Sequence, residues 1–517
     1  MSQMNHHHRL QAPLKLISFT GLFLGLLTGL TSQLHAEPRP SGSKPEITKK
    51  GSGQSELLNS ADEIHTGDPL ELQEVLESTR NHAPKVKMAL DKIIYYESKQ
   101  RAATGAFDSS LDVDFYDRDG EYYNGSYYKA KATKPLPFLN AKVYGGYKKS
   151  EGNFPSYEGA VETLDEGEVM GGVSLSLLRN RSIDAKRLKL RLSEFDLESG
   201  QWKQNDLLMV MQQEATIAYW KWVAEGLKLD VAIGLLELAE QRQEAFKKRI
   251  KKGDLAAIYA VENEQYILKR KSNVAKLMAS VRNSALYLSL YYRDSEGRPI
   301  EARAKHIPRI KEMRNSIKEN LARKEKIHAN ESYKEILNTN YSLQALKVEL
   351  GQLKKENEFY NTRFLPKLDL KYEYAKDLGS GPKNLYSQDH KIYLSLNIPF
   401  EYNQIKGNEQ ANMAMMRLKE RDIQFKSEQL NVKLNQLLTK LRALNEITDN
   451  TEREVQLAIR LEASERQKFN SGDSDYFVVN IREQNTADAR VKLIEALFDY
   501  QEALAQYRAM IMDYKVL

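Results

Sequence analysis

The sequence predicts a mainly α-helical fold that carries short amphipathic β-hairpins, with one helix–strand hairpin–long helix–helix module written twice. Three observations predict it. Residues 403–470 hold no proline and a single glycine, Gly407, over a span far longer than an ordinary helix. Short runs such as Leu368, Leu370, Tyr372 and Tyr374 alternate with Asp369, Lys371 and Glu373, the period of a strand with two unlike faces. A Gly-Asp step also recurs, in Ile250-Lys-Lys-Gly253-Asp254 and Phe469-Asn-Ser-Gly472-Asp473, with Glu-Gln eleven residues beyond each glycine.

At the N-terminus, Arg9 and Lys15 precede an apolar run, Leu16 to Leu30, and Ser32 to Ala36 offers a cleavage site. This reads as a signal peptide over residues 1–36, since the run falls short of the ~20 residues of a spanning helix. A transmembrane anchor is the alternative. The triplet His6, His7 and His8 would leave with the signal. Residues 37–68 are rich in Pro, Gly, Ser and Lys without an apolar period and read as a flexible leader.

The repeats are expected at 69–293 and 328–517, joined by an inter-repeat equatorial segment at 294–327. The glycines are 219 residues apart, and Val173-Ser-Leu-Ser and Leu394-Ser-Leu-Asn are 221 apart. His82-Ala83 and His328-Ala329 are 246 apart, so the first repeat is longer, with the excess around its strands. In the second repeat a lead helix is expected from Glu331 to about Tyr360, with strands at about 366–376 and 391–399. In the first, the strands fall within about 111–178. Leu111 to Phe115 and Val173 to Leu177 alternate, Lys142 to Tyr147 is a candidate partner, and Tyr122 to Tyr128 and Lys134 to Leu139 are extra. Which of these segments pair stays open.

Long helices are expected at about 182–252 and 403–470, the second near 100 Å at 1.5 Å per residue. Leu430, Leu434, Leu437, Leu441 and Leu444 follow the 4-3-4-3 spacing of a coiled-coil seam. In the first, Ala215, Ala218 and Trp222 mark the buried side, and Gly200, Gly226 and Gly234 are weak points. Each long helix ends at a Gly-Asp step, where glycine suits the left-handed residue and Asp254 or Asp473 suits the next N-cap. The chain then returns along 255–292 and 476–514. Lys247, Lys248, Arg249, Lys251 and Lys252 crowd the first reversal, either as a dipole-favoured helix end or as a docking surface.

A net charge of +6 from 77 basic and 71 acidic residues is spread thinly, which argues against a nucleic-acid partner. With no cysteine, the chain excludes disulfide scaffolds, iron–sulfur clusters, thiol nucleophiles and lipid attachment at an N-terminal cysteine. Strands of about ten residues with one apolar face match tilted membrane crossings, lipid outside and water inside, with a surface-exposed soluble hairpin as the alternative. Two hairpins give four strands, too few to close, and an open edge in lipid costs several kcal/mol per unpaired group. Closure therefore demands oligomers: three chains would give a twelve-stranded barrel over an α-helical coiled-coil tunnel, two chains a filled eight-stranded one.

The duplicated module, from about Leu70 onward, resembles the TolC-type outer-membrane efflux proteins. The residues that carry the resemblance are Phe469 to Tyr476, Asn480-Ile-Arg-Glu-Gln484 and Arg363-Phe-Leu-Pro366-Lys-Leu-Asp-Leu370. It implies a homotrimer in the cell outer membrane, with its helical part in the periplasm. It also implies a passive exit duct in a tripartite efflux or type I secretion system, working with a periplasmic adaptor and an inner-membrane transporter. By position, Lys251, Lys252, Gly253, Asp254, Ser471, Gly472 and Asp473 would form the adaptor-docking tunnel tip. Asp475, Val478 and Ile481 are the candidate gate; Val478 and Ile481 stand where some relatives carry a ring of Asp, so that ring is absent. As a plain helix start, Asp473 would be the N-cap and Asp475 a first-turn acid.

The competing reading is a soluble periplasmic coiled-coil adaptor or scaffold. An enzyme is disfavoured: there is no G-x-S-x-G or phosphate-binding loop, and no cofactor or metal is expected. The many paired acids on the helices read as solvated faces.

Overall fold

The computed structural model describes residues 67–155, 161–322 and 329–513. The expected signal, most of the leader, and His328 lie outside the described residues.

Two short helices, α1 (Leu72–His82) and α2 (Pro84–Thr104), lead into four antiparallel strands, β1 (Ser110–Arg118), β2 (Gly125–Pro135), β3 (Lys142–Gly152) and β4 (Glu168–Ser176). The first long hairpin follows as α3 (Ala185–Lys251) and α4 (Ile258–Leu288), and then α5 (Ile310–Ala322). The second repeat contains α6 (Ala329–Thr339), α7 (Tyr341–Thr362), β5 (Lys367–Asp377), β6 (Gln388–Asn397), α8 (Asn403–Asn470) and α9 (Tyr476–Met510). Among the described residues no helix is long and apolar enough to cross a membrane.

The six strands form one sheet in chain order, β1-β2-β3-β4-β5-β6. The expected four strands per chain are therefore corrected to six among the described residues. Both the Tyr-rich stretch and Lys142 to Tyr147 enter the sheet, because β2 and β3 pair with each other along their whole length. The count of twelve, built on four strands, loses its premise. A second correction concerns the lead helix of the second repeat, which breaks into α6 and α7 at Asn340. The buried Asn340 side chain accepts a hydrogen bond from Leu343 N at 3.1 Å, capping a new helix rather than continuing the old one.

The long helix α8 runs beside one partner in each half, and α3 beside one on each flank in each half. In the half near the sheet the packing order is α2–α3–α7–α8, and in the far half it is α4–α3–α9–α8. Each is an open row with α8 at one end. The strands attached to the near row, β1, β4, β5 and β6, follow the same order as their helices. The core lies along these rows: Ala215, Trp222 and Val223 of α3 are fully buried, as are Leu434 of the α8 seam and Ile494 and Leu497 of α9. Two of the three α3 glycines are close-packing points rather than weak ones. A Cβ on Gly200 would meet Tyr96 at 2.6 Å, and one on Gly226 would meet Ile307 of the inter-repeat segment at 2.2 Å; Gly234 faces open space.

Candidate functional site: a two-faced sheet and a helical tip

The register fixes which side chains share a face of the sheet. One face carries Leu111, Val113 and Phe115 of β1, Ala130 and Ala132 of β2, Val143 of β3, Val169 and Val173 of β4, Leu368 and Leu370 of β5, and Ile392, Leu394 and Leu396 of β6. These stay open to the surroundings: Phe115 is 75% exposed and Ile392 is 72% exposed. Tyr128, Tyr147, Tyr372 and Tyr374 stand on the same face toward the end remote from the helices. Phe138 and Phe400 are exposed at the helical end. An apolar band bounded by aromatic residues is the pattern that the outer surface of a membrane barrel carries.

The opposite face is polar and internally paired. Asp112 faces Lys131 and Asp114 faces Lys129 across β1 and β2. Lys148 pairs with Glu168 at 3.6 Å, and Lys371 with Glu373 at 2.8 Å. The Tyr144 hydroxyl donates to Glu373 Oε2 at 2.7 Å, and Ser176 Oγ to Asp369 Oδ1 at 2.8 Å. A soluble sheet would bury its apolar face and wet the other; here the apolar face is the open one.

At the far end of the helices the two reversals share one geometry. Gly253 has φ 80° and Gly472 φ 85°, the left-handed region that glycine enters without a Cβ clash. Gly253 N donates to Ile250 O at 3.0 Å and Asp254 N to Arg249 O at 3.0 Å; Gly472 N donates to Phe469 O at 3.1 Å and Asp473 N to Lys468 O at 2.9 Å. This paired pattern ends a helix by satisfying its last carbonyls. The expected capping roles are corrected. The N-cap of α4 is Ala257, which offers no side-chain cap, so Asp254 does not cap α4, and the N-cap of α9 is Asp475, whose Oδ1 accepts from Phe477 N at 3.1 Å. Asp473 lies two residues too early to reach that turn.

Lys251, Lys252, Gly253, Asp254, Ser471, Gly472 and Asp473 are all exposed and lie at these two reversals. Of the gate candidates, Asp475 and Ile481 are exposed and Val478 is half-buried. Lys247 is engaged by Glu244 at 2.8 Å, an exposed pair along one helix.

Sequence reasoning missed the polar knot just above the tip. Glu483 of α9 has no exposed side-chain surface. Arg242 of α3 and Arg466 of α8 both donate to its Oε1, Arg466 at 3.0 Å, and Arg270 of α4 lies 3.8 Å from Oε2. Arg270 also donates to Leu235 O and Asn480 Oδ1, each at 2.8 Å. Tyr476 donates to Asn263 Oδ1 at 2.7 Å, and Asn263 reaches Gln243 Oε1 at 2.7 Å. Burial lowers the Arg270 pKa and raises that of Tyr476. So the reading of the helix acids as solvated faces fails at Glu483, which ties four helices together. The repeat marker Glu483-Gln484 was visible in the sequence, but its burial was not.

No protein-family model matches the chain, and no curated protein matches its sequence. Solved structures do. The outer membrane protein VceC of Vibrio cholerae superposes with TM-score 0.60 at 12% identity, over 85% of this chain and 95% of that one. The CmeC outer membrane channel of Campylobacter jejuni gives 0.60 at 12%, covering 91% and 94%. The MtrE outer membrane channel of Neisseria gonorrhoeae gives 0.60 at 11%, covering 91% and 97%. The chain has the fold of the TolC-type outer-membrane channels. At such low identity this likeness speaks for the architecture of the repeats, and the roles of individual residues rest on the geometry above.

Proposed function

We propose that this protein is the outer-membrane channel of a tripartite efflux or type I secretion assembly. In this reading it is a passive homotrimeric duct that joins a periplasmic adaptor and an inner-membrane transporter to the exterior. The observation that carries the reading is the sheet whose open face is apolar and whose other face is ion-paired, mounted on an unclosed row of long helices. Lipid satisfies the first face, a water-filled lumen the second, and further copies the open row.

In this reading the reversals at Lys251, Lys252, Gly253, Asp254, Ser471, Gly472 and Asp473 are the docking tip for the adaptor, and Asp475, Val478 and Ile481 line the gate. Reversing the charge of Lys247, Lys248, Lys251 and Lys252 is expected to abolish adaptor cross-linking while the oligomer persists. Unchanged cross-linking would reduce the basic run to a helix end.

The decisive measurement is conductance of the purified oligomer in planar bilayers, with fractionation of the mature chain to the outer membrane. Recovery of dissolved, non-conducting protein from the periplasm would favour the soluble coiled-coil scaffold instead.

A further inference from the structure

The β2–β3 hairpin makes the sheet wider than the four helices of a row would require if each carried one strand, and this has a consequence for the assembled barrel. We propose that all six strands lie in the barrel wall, with the free edge of β1 pairing with the free edge of β6 of a neighbouring copy, so that three copies close an eighteen-stranded barrel. The proposal rests on the trimeric duct reading and specifies its wall.

The outermost strands are built for lipid. β1 is at the sheet edge and follows the same alternation as the rest, with Leu111, Val113 and Phe115 on the apolar face and Asp112 and Asp114 on the polar one. At the other edge β6 repeats it with Ile392, Leu394 and Leu396 against Lys391, Tyr393 and Ser395. A β1–β2 hairpin standing in water outside the barrel would have no use for three large apolar side chains in a row on β1. Neither edge strand contains a proline, one of the devices by which soluble sheets blunt free edges. In lipid those edges must be paired.

The directions allow the pairing. β1 leaves the helical end after α2, and β6 returns to it before α8, so the two strands run opposite ways. Joining β6 of one copy to β1 of the next continues the antiparallel order around a ring.

The dimensions agree as well. Leu111 stands one residue above the helical end of β1, Ser110; its lateral neighbours in succession are Ala132, Gly145, Gly171, Tyr374 and His390. His390 stands seven residues above the helical end of β6, Asn397. With the strand ends level above the helices, that is a climb of roughly 20 Å over roughly 24 Å of sheet, a tilt of about 40°, within the usual range for membrane barrels. At that tilt six strands span about 38 Å of circumference, four helices about 9–10 Å apart span about 36–40 Å, and four strands would span only about 25 Å. The six-stranded wall therefore continues the helical layer without narrowing. Eighteen strands give a backbone diameter of about 36 Å, against about 24 Å for twelve, in the size range that leaves an aqueous channel.

The absence of cysteine makes the test direct, since each single substitution supplies the only thiol. Leu111→Cys, Asp112→Cys, Val113→Cys, Asp114→Cys and Phe115→Cys are reconstituted as oligomers in lipid bilayers. Each is treated with a sulfonated, membrane-impermeant maleimide; a bimane-labelled set is challenged with lipids brominated on their acyl chains. Leu394→Cys on β6 is the lipid-facing reference in either arrangement. The expected result is strict alternation: maleimide labelling at 112 and 114 only, and acyl-chain quenching at 111, 113 and 115 as at 394.

Maleimide labelling at all five β1 positions in an intact trimer would place the β1–β2 hairpin outside the wall and overturn the proposal while leaving the duct standing. Should the variants not assemble, electron cryo-microscopy of the unmodified oligomer in nanodiscs decides by counting strands. Eighteen support the proposal and twelve from three chains overturn it. A closed dimer, or no oligomer, removes the trimer reading itself.

Discussion

The two repeats share an outline and differ in where they stand. α3 has neighbours on both flanks through its whole length and buries Ala215, Ala218, Trp222, Val223 and Ala239 among them. α8, at the end of the row, buries one seam of leucines and leaves Phe425, Val432, Leu457 and Leu461 exposed. A helix packed on several sides needs small residues for close approach; a helix at an edge buries one stripe in its own chain, and under the proposed trimer a second stripe would meet the next copy. The same asymmetry appears at single positions. Eleven residues past the reversal glycine, Glu264 is exposed while Glu483 is buried beneath three arginines. Two modules of similar outline are thus packed unequally.

That contrast can be broken first at the buried acid. Glu483→Ala leaves Arg242, Arg270 and Arg466 without their shared anion, and a loss of about 3–5 kcal/mol is expected on thermal unfolding of the detergent-purified protein. Glu264→Ala, at the matching exposed place, should leave the melting temperature almost unmoved. Equal effects would mean that the two positions are not so differently placed.

Glycine packing sharpens the comparison within α3. Gly226→Ala drives a methyl against Ile307 and is expected to cost about 1–3 kcal/mol by the same measurement. Gly234→Ala meets nothing within 4 Å and should stabilise by up to about 1 kcal/mol through helix propensity.

The two reversals differ less. Asp475→Ala removes the α9 cap and should cost about 1 kcal/mol, read as faster hydrogen exchange at the start of α9. Asp473→Ala, whose side chain caps nothing, should leave that exchange unchanged.

The smallest effect belongs to the link between α3, α7 and α8. Glu349 accepts from Lys203 at 2.5 Å and Lys419 at 2.8 Å. Burial alone would raise its pKa, but the two ammonium groups outweigh that and hold it below the usual 4.5. A depressed carboxylate stabilises the fold above its unfolded pKa and loses that contribution as pH falls through the folded one. Partial exposure screens the pair, so about 0.5–1 kcal/mol should disappear below pH 4.5 in the native chain. Glu349→Gln should flatten that part of the pH–stability curve, and an unchanged slope would discount the link.

Much of this architecture was legible beforehand because it is local. The alternation that makes β5 and β6, the unbroken run that makes α8, and the glycine at each reversal are properties of neighbouring residues. The break at Asn340 was also local, yet it hid inside an uninterrupted helical pattern, since asparagine caps a helix only when its side chain is turned back onto the next turn. The two chain reversals were legible from their repeated Gly-Asp step; the knot above them was not, because Arg242, Arg270, Arg466 and Glu483 come from four separate helices.

By itself the sequence determined the repeated module, the strand and helix periods, the turn chemistry and the presence of a sheet with one apolar face. Only the tertiary structure decided that six strands rather than four share that sheet, which repeat takes the middle of the row, and which carboxylate is buried. The physical reason is range. Periodicity and turns are set by backbone sterics and side chains a few residues apart, whereas strand partnership and burial depend on which distant surfaces exclude water together.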